Sequence, residues 1–244
     1  MSDLPGRDAR VVWHPYTQHG IEKAPLPVVS ADGAWLELAD GTKLLDAISS
    51  WWATLHGHSH PALVAAISEQ AARLDHVLFA GATHEPAVQL AEQLLAIVPE
   101  GLSRVFYSDD GSTAVEAAMK MVLQSWVHRE QPKRRVFVAL EGAYHGDTFG
   151  AMAAGDPDPF FLPFESMMFE VRRVPTNAAA LAQAFDELGE RAAGFIFEPM
   201  LQGAAGMRVM SVDFVQQARK LCDEHGLPMI ADEVMTGFGR TGAM

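Results

Sequence analysis

Residues 136–148 read VFVALEGAYHGDT: an unbroken apolar run that stops at Glu141 and opens into a loop carrying Tyr144 and His145 between glycines. Five apolar residues in a row, bounded by polar ones, suit a strand buried on both faces, as in a parallel sheet covered by helices. Working outward, comparable runs occur at residues 104–107, 194–197 and 227–231, and each reads as a further buried strand. Helical periodicity fills most of the intervals, near residues 113–128, 178–188 and 212–225. Strands that alternate with helices predict an α/β fold, with a mainly parallel sheet flanked by helices and right-handed crossovers.

The N-terminal quarter has a different pattern. Residues 34–50, AWLELADGTKLLDAISS, alternate apolar and polar side chains around Asp40-Gly41, which predicts a β-hairpin. Pro61 then stands where a helix would begin, with Leu63, Ile67, Ala71 and Leu74 at helical spacing, and a second helix is expected from Pro86 until Pro99 and Gly101 stop it. The boundary falls near His56, dividing a 1–55 N-terminal segment from a 56–244 large domain. Residues 155–163, GDPDPFFLP, read as a surface loop.

Composition narrows the function classes. A chain of 244 residues can bury roughly 70% of its extended surface, enough for one large domain or two modest ones. Its net charge of -13 repels nucleic acid and anionic membranes, so neither is expected as a partner. No apolar run is long enough to cross a bilayer. The lone Cys222 allows no intrachain disulfide, and the first residues, MSDLPGRDAR, resemble neither a secretory signal nor a transit peptide, so a cytoplasmic location is expected.

In an open parallel sheet, ligands bind beyond the carboxyl ends of the strands. After residues 104–107 comes Ser108-Asp109-Asp110-Gly111-Ser112-Thr113 and then a helix, a place where free N–H groups and the helix dipole favour a phosphate. The same residues could be a plain helix cap, with Ser112 and Glu116 near capping-box spacing. Tyr144 could stack on a planar cofactor or be an ordinary half-buried loop tyrosine. Asp232, closing a fully apolar strand, could hold a ring nitrogen protonated, and Glu198 is a second acid in a similar place. Gly237 to Gly242 match the spacing of a dinucleotide loop but lack a following helix and ribose-binding acid, and His56, His58 and His60 lack the ligand set of a metal site, so no metal is expected.

Gly111-Ser112 opening a helix, Tyr144-His145-Gly146, Glu198-Pro199 with Gln202-Gly203, and Ala231-Asp232-Glu233 before Thr236-Gly237-Phe238-Gly239-Arg240 occur in that order. With them the chain resembles the class III aminotransferases, over nearly all its length. The resemblance implies the fold of the fold-type I transferases and the cofactor pyridoxal 5'-phosphate. It implies that Gly111 and Ser112 hold the phosphate, that Tyr144 packs on the pyridine ring near the substrate, and that Asp232 pairs with the ring nitrogen. Trp13-His14-Pro15-Tyr16-Thr17 and Ser49-Ser50-Trp51-Trp52-Ala53 further resemble the branch of the family that serves biotin biosynthesis. That branch takes the amino group of S-adenosylmethionine and converts 8-amino-7-oxononanoate to 7,8-diaminononanoate. Tyr16, Trp51 and Tyr144 would then line the substrate, although one of the paired tryptophans is expected in the core.

Such an enzyme needs a lysine to hold its cofactor, and none of Lys23, Lys43, Lys120, Lys133 and Lys220 matches the family's. The resemblance implies that it lies beyond Met244. The expectation is an N-terminal fragment, inactive alone, of a parent that acts as a homodimer. The alternatives are another class III ω-amino acid transaminase, or an inactive module that keeps the cofactor pocket.

Overall fold

A computed structural model describes residues 3–157 and 161–242. They fall into two compact units, Met1–Ala87 and Val88–Met244. The sequence pattern changes from hairpin to helix near His56, which marks a change of element; the compact units divide after Ala87.

In the first unit, α1 (Leu4–Val11) is capped by Asp3, whose carboxylate accepts from the Gly6 N–H at 2.9 Å. An antiparallel sheet follows, in the order β1 (Val28–Asp32), β2 (Trp35–Leu38), β3 (Lys43–Leu45). Its β2–β3 pair is the predicted hairpin, with Trp35 opposite Leu45 and Glu37 opposite Lys43. Gly41 supplies the turn with a φ of 86°, and Asp40 accepts from the Thr42 N–H at 2.9 Å. The single turn α2 (Ser49–Trp52) is left-handed: its four residues have φ of 50°, 46°, 62° and 69°. In L-residues this costs about 1–2 kcal/mol each. Helix α3 (Pro61–Arg73) opens on Pro61 as expected, because its first N–H needs no partner. Leu38 is the only buried hydrophobic described in this unit.

Helix α4 (Glu85–Leu95) runs across the division between the units. The second unit then continues with α5 (Gly111–His128), β4 (Val136–Leu140), α6 (Phe149–Ala154), β5 (Val171–Val174), α7 (Ala178–Leu188) and β6 (Ala192–Phe197). A two-residue ribbon, β7 (Leu201–Gln202) with β8 (Arg208–Val209), precedes α8 (Val212–Glu224) and β9 (Met229–Ala231). The main sheet has the order β5-β4-β6-β9, all parallel. Ile196 of β6 lies level with Ala139 on one side and Ile230 on the other. Helix α5 packs with α6, and α7 with α8, along the sheet.

Every residue of β4 and β6 is buried, as their unbroken apolar runs require. Phe137, Leu140, Phe195, Ile196 and Phe197 are 0% exposed. Each such side chain contributes about 1.5–3 kcal/mol relative to exposure. Trp126 closes the α5 side, donating from Nε1 to the Ala193 carbonyl at 2.7 Å beneath the guanidinium of Arg134.

The sequence reading and the structure differ at three places. Residues 104–107 form no strand and pair with none among the described residues, and Phe106 is 67% exposed. An apolar run becomes a strand only where a neighbour accepts its backbone hydrogen bonds. Conversely β5, with the sequence VRRV, is a strand that no apolar run announces. The predicted loop at 155–163 includes residues 158–160, which lie outside the described set, and a 3-10 turn occupies Leu162–Met167.

Candidate active site

Helix α5 begins at the carboxyl side of the apolar segment, and its cap is not the one its sequence first suggests. Asp110 accepts from the Thr113 N–H at 2.8 Å, while the Thr113 hydroxyl accepts from the Asp110 N–H at 3.0 Å. The pair Asp110/Thr113 is therefore the capping box, and Ser112 with Glu116 is not. That leaves both side chains free for other work. The Ser112 hydroxyl accepts from the Asp147 N–H at 3.0 Å. Glu116 accepts from the Thr148 hydroxyl at 2.6 Å and the Gly150 N–H at 2.7 Å, which fastens the start of α6 to α5.

The loop after β4 thus lies directly on the α5 N-terminus. Gly146 has a φ of 121°, and a Cβ there would stand 2.0 Å from Ser112 Oγ. A Cβ on Gly111 would stand 2.9 Å from Val234 Cγ1, so the segment after β9 closes the third side. By helix geometry the first N–H groups, at Gly111 and Ser112, have no intrahelical acceptor. They form the donor end of a tight cradle.

Two buried acids line the carboxyl ends of β6 and β9. Asp232 is 8% exposed; its Oδ2 lies 2.7 Å from His145 Nδ1, and its Oδ1 accepts from the Val234 N–H at 3.1 Å. Glu198 is 6% exposed and accepts from the Tyr144 N–H at 3.1 Å and the Gly203 N–H at 3.0 Å. Burial pushes the Glu198 carboxyl above its ordinary range, with the two N–H donors and His145 pulling the other way. The Tyr144 ring is half-buried and stacks on Phe161 with centroids 6.0 Å apart.

Gly111, Ser112, Tyr144 and Asp232 are therefore brought to one place by direct contacts: Ser112 with the 146–147 backbone, Gly111 with Val234, and Asp232 with the neighbour of Tyr144. The sequence reading noted His145 inside its motif but not as the partner of Asp232, a bond that spans 87 residues. It named Glu116 only as a possible capping-box acid and not as the anchor of the α6 start.

The cradle fits a planar phosphorylated cofactor. It offers N–H donors at a helix start, a half-buried ring, and a buried carboxylate, and His145 Nε2 and Thr236 Oγ1 are buried without a partner in the same loops.

Tyr16 and Trp51, the other expected site residues, lie in the first unit. Their rings are 5.5 Å apart at 31°, and they are 61% and 62% exposed. Trp51 is therefore not a core residue of its unit, while Trp52 is half-buried. His58, one of the three closely spaced histidines, is engaged by Asp46 at 2.8 Å.

A parallel sheet whose carboxyl-end loops gather a helix N-terminus, an aromatic ring and a histidine-bonded acid is the architecture of an α/β protein with a ligand site at the carboxyl ends of its strands. The family model for aminotransferase class-III matches residues 16–244, and this chain belongs to that family. It is 50% identical to the adenosylmethionine-8-amino-7-oxononanoate aminotransferase of Synechococcus elongatus, over 95% of this chain and 58% of that protein. The crystal structure of the protein of that name from Methanocaldococcus jannaschii superposes with a TM-score of 0.95 at 36% identity, over 99% of this chain and 57% of that one. A PLP-bound amine transaminase from an uncultivated Pseudomonas species superposes at 0.86 with 31% identity, over 96% of this chain and 58% of that one. The chain thus spans less than three fifths of the length of these relatives. Among its described residues no helix is long and apolar enough to cross a membrane.

Proposed function

We propose that the protein containing this chain is a pyridoxal-phosphate-dependent transaminase that takes the amino group of S-adenosylmethionine and delivers it to 8-amino-7-oxononanoate, giving 7,8-diaminononanoate for biotin synthesis. The observation that carries the transaminase reading is the buried Asp232 carboxylate, 2.7 Å from His145 and in the same group of loops as the Gly111–Ser112 helix start. The names and 50% identity of relatives support the particular reaction. The proposed active form is a cytoplasmic homodimer; the exposed apolar face of α3, with Leu63, Val64 and Ile67, is consistent with further burial on assembly.

When bound, pyridoxal phosphate supplies an electron sink that stabilises the carbanion left as the substrate loses its α-proton. The chain's own residues prepare it. Gly111 and Ser112 direct helix N–H groups at the phosphate, and the glycine at 146 lets the loop backbone approach. Tyr144 would cover the ring face near the substrate. Asp232 would hold a proton on the ring nitrogen by opposite charge at close range, with His145 fixing the carboxylate's orientation. Tyr16 and Trp51 line the substrate with flat apolar surface suited to an adenosyl group or a methylene chain.

In the full-length protein, Asp232→Asn is expected to lower turnover at least about 100-fold while unfolding stays cooperative, because the asparagine oxygen can still accept from the Val234 N–H. Near-normal turnover would overturn the assignment. A parent enzyme that uses a diamine or an ω-amino acid, and not S-adenosylmethionine, would overturn the particular reaction alone.

A further inference from the structure

The left-handed turn α2 contains no glycine, asparagine or aspartate, the residues that adopt positive φ most readily. A run of this kind persists only where its surroundings over-determine it. Here a single carboxylate does so. Asp46 Oδ2 accepts from the Ser50 hydroxyl at 2.7 Å and lies 2.8 Å from His58 Nε2, and Ser50 Oγ is 3.4 Å from the same nitrogen. Both partners are tied to the β1–β2 turn. The Asp46 N–H donates to the Ala34 carbonyl at 2.8 Å, and His58 exchanges backbone bonds of 3.1 Å and 2.7 Å with Gly33. A Cβ on Gly57, whose φ is 81°, would stand 3.0 Å from the Gly33 carbonyl oxygen, so that approach depends on glycine.

The knot is shielded, with the Asp46 and His58 side chains 5% and 16% exposed, while the turn it holds presents Trp51 outward beside Tyr16. The Ser50 backbone N–H, then its hydroxyl, then His58, hold the Asp46 carboxyl at about 2, so it is ionised near neutral pH.

We propose that Asp46 and His58 are positioning residues for substrate selection: the carboxylate clamped between His58 and Ser50 holds the left-handed turn and so sets the Trp51–Tyr16 aromatic wall. The inference rests on the reading that this wall meets the substrate. A carboxylate that only stabilised the sheet would not fix the orientation of Trp51, whereas this one bonds to the residue next to it in the chain.

The test uses the full-length enzyme loaded with cofactor. Asp46→Ala is expected to raise the KM for S-adenosylmethionine or for 8-amino-7-oxononanoate about tenfold with kcat held within about threefold. It should also shift the emission of Trp51, isolated by difference against Trp51→Phe, and leave the pyridoxal phosphate dissociation constant unchanged. His58→Gln, whose amide can still donate to Asp46, should keep a KM near that of the parent. If Asp46→Ala does not fold, Asp46→Asn, which keeps an acceptor for Ser50 but loses the charge, is read by the same measurements. A lowered Tm with unchanged KM and unchanged Trp51 emission overturns the proposal. Trp51→Ala separates the two layers. Unchanged KM for both substrates in that variant refutes the substrate wall and the inference with it; a raised KM there, with parental KM in the Asp46 variants, refutes the positioning role alone.

Discussion

Gly146→Ala tests whether the loop after β4 and the start of α5 form one rigid cradle. The alanine Cβ would lie 2.0 Å from Ser112 Oγ, 2.7 Å from its Cβ and 2.9 Å from its Cα, all well inside van der Waals contact. No rotamer of Ser112 relieves the last two distances, so the helix start or the loop must retreat by about 1 Å, an overpacking cost of about 1–3 kcal/mol. The φ of 121° adds strain of about 1–3 kcal/mol in any residue with a Cβ. Together these give a loss of about 2–6 kcal/mol, comparable with the 5–15 kcal/mol total typical of a native protein. Urea unfolding of the full-length protein measures the loss, and titration with pyridoxal phosphate measures the accompanying fall in affinity. Ser112→Gly in the same background removes the Oγ and Cβ contacts but leaves the backbone strain. The pair should therefore be less destabilised than the sum of the singles by about 1–2 kcal/mol. A Gly146→Ala loss below about 1 kcal/mol, with no coupling to Ser112→Gly, would refute the cradle.

Two further outcomes follow from the side-chain environments. The folded-state Asp46 carboxyl sits at about 2 against an ordinary 3.8, so its contribution to stability is present above pH 3.8 and is lost as pH falls through about 2. Acid titrations of the parent and Asp46→Asn followed by near-UV circular dichroism should differ above that window and converge below it; a difference constant with pH would refute the assignment. Burial pushes the Cys222 thiol up to about 11, leaving about one thiolate in a thousand at pH 8. Iodoacetamide should label it, by mass spectrometry, only after denaturation, and labelling of the folded protein at the rate of a free thiol would contradict its burial.

The elements that the sequence makes legible are those whose signal is local. Strands β4 and β6 show as unbroken apolar runs because both faces are buried, and α7 begins and ends where its periodicity does. Strand β5 is hidden because Arg172 reaches out to Glu187 and Arg173 turns back to the carbonyls of Ala153 and Gly155, so a strand at the end of the sheet reads as polar. Residues 104–107 have the composition of a strand, but pairing is a property of two segments and one segment cannot announce it. The acid and the histidine of the candidate site are each visible, yet their bond depends on β9 lying beside β6, which no local pattern encodes. The left-handed turn leaves no trace, since Ser-Ser-Trp-Trp carries none of the residues that mark positive φ.

The loop at 142–148 is held from four directions: Gly142 by Asp156, Tyr144 by Glu198, Asp147 by Ser112 and Thr148 by Glu116. Freezing a free backbone costs about 1–2 kcal/mol per residue, and these four hydrogen bonds offset part of that cost. A loop held by its own side-chain bonds has less backbone left to order on association, so more of the binding free energy can go into contacts. Glu116 and Glu198 hold this backbone without being among the residues proposed to touch the cofactor, so substitution at either is expected to weaken cofactor binding by loosening the loop.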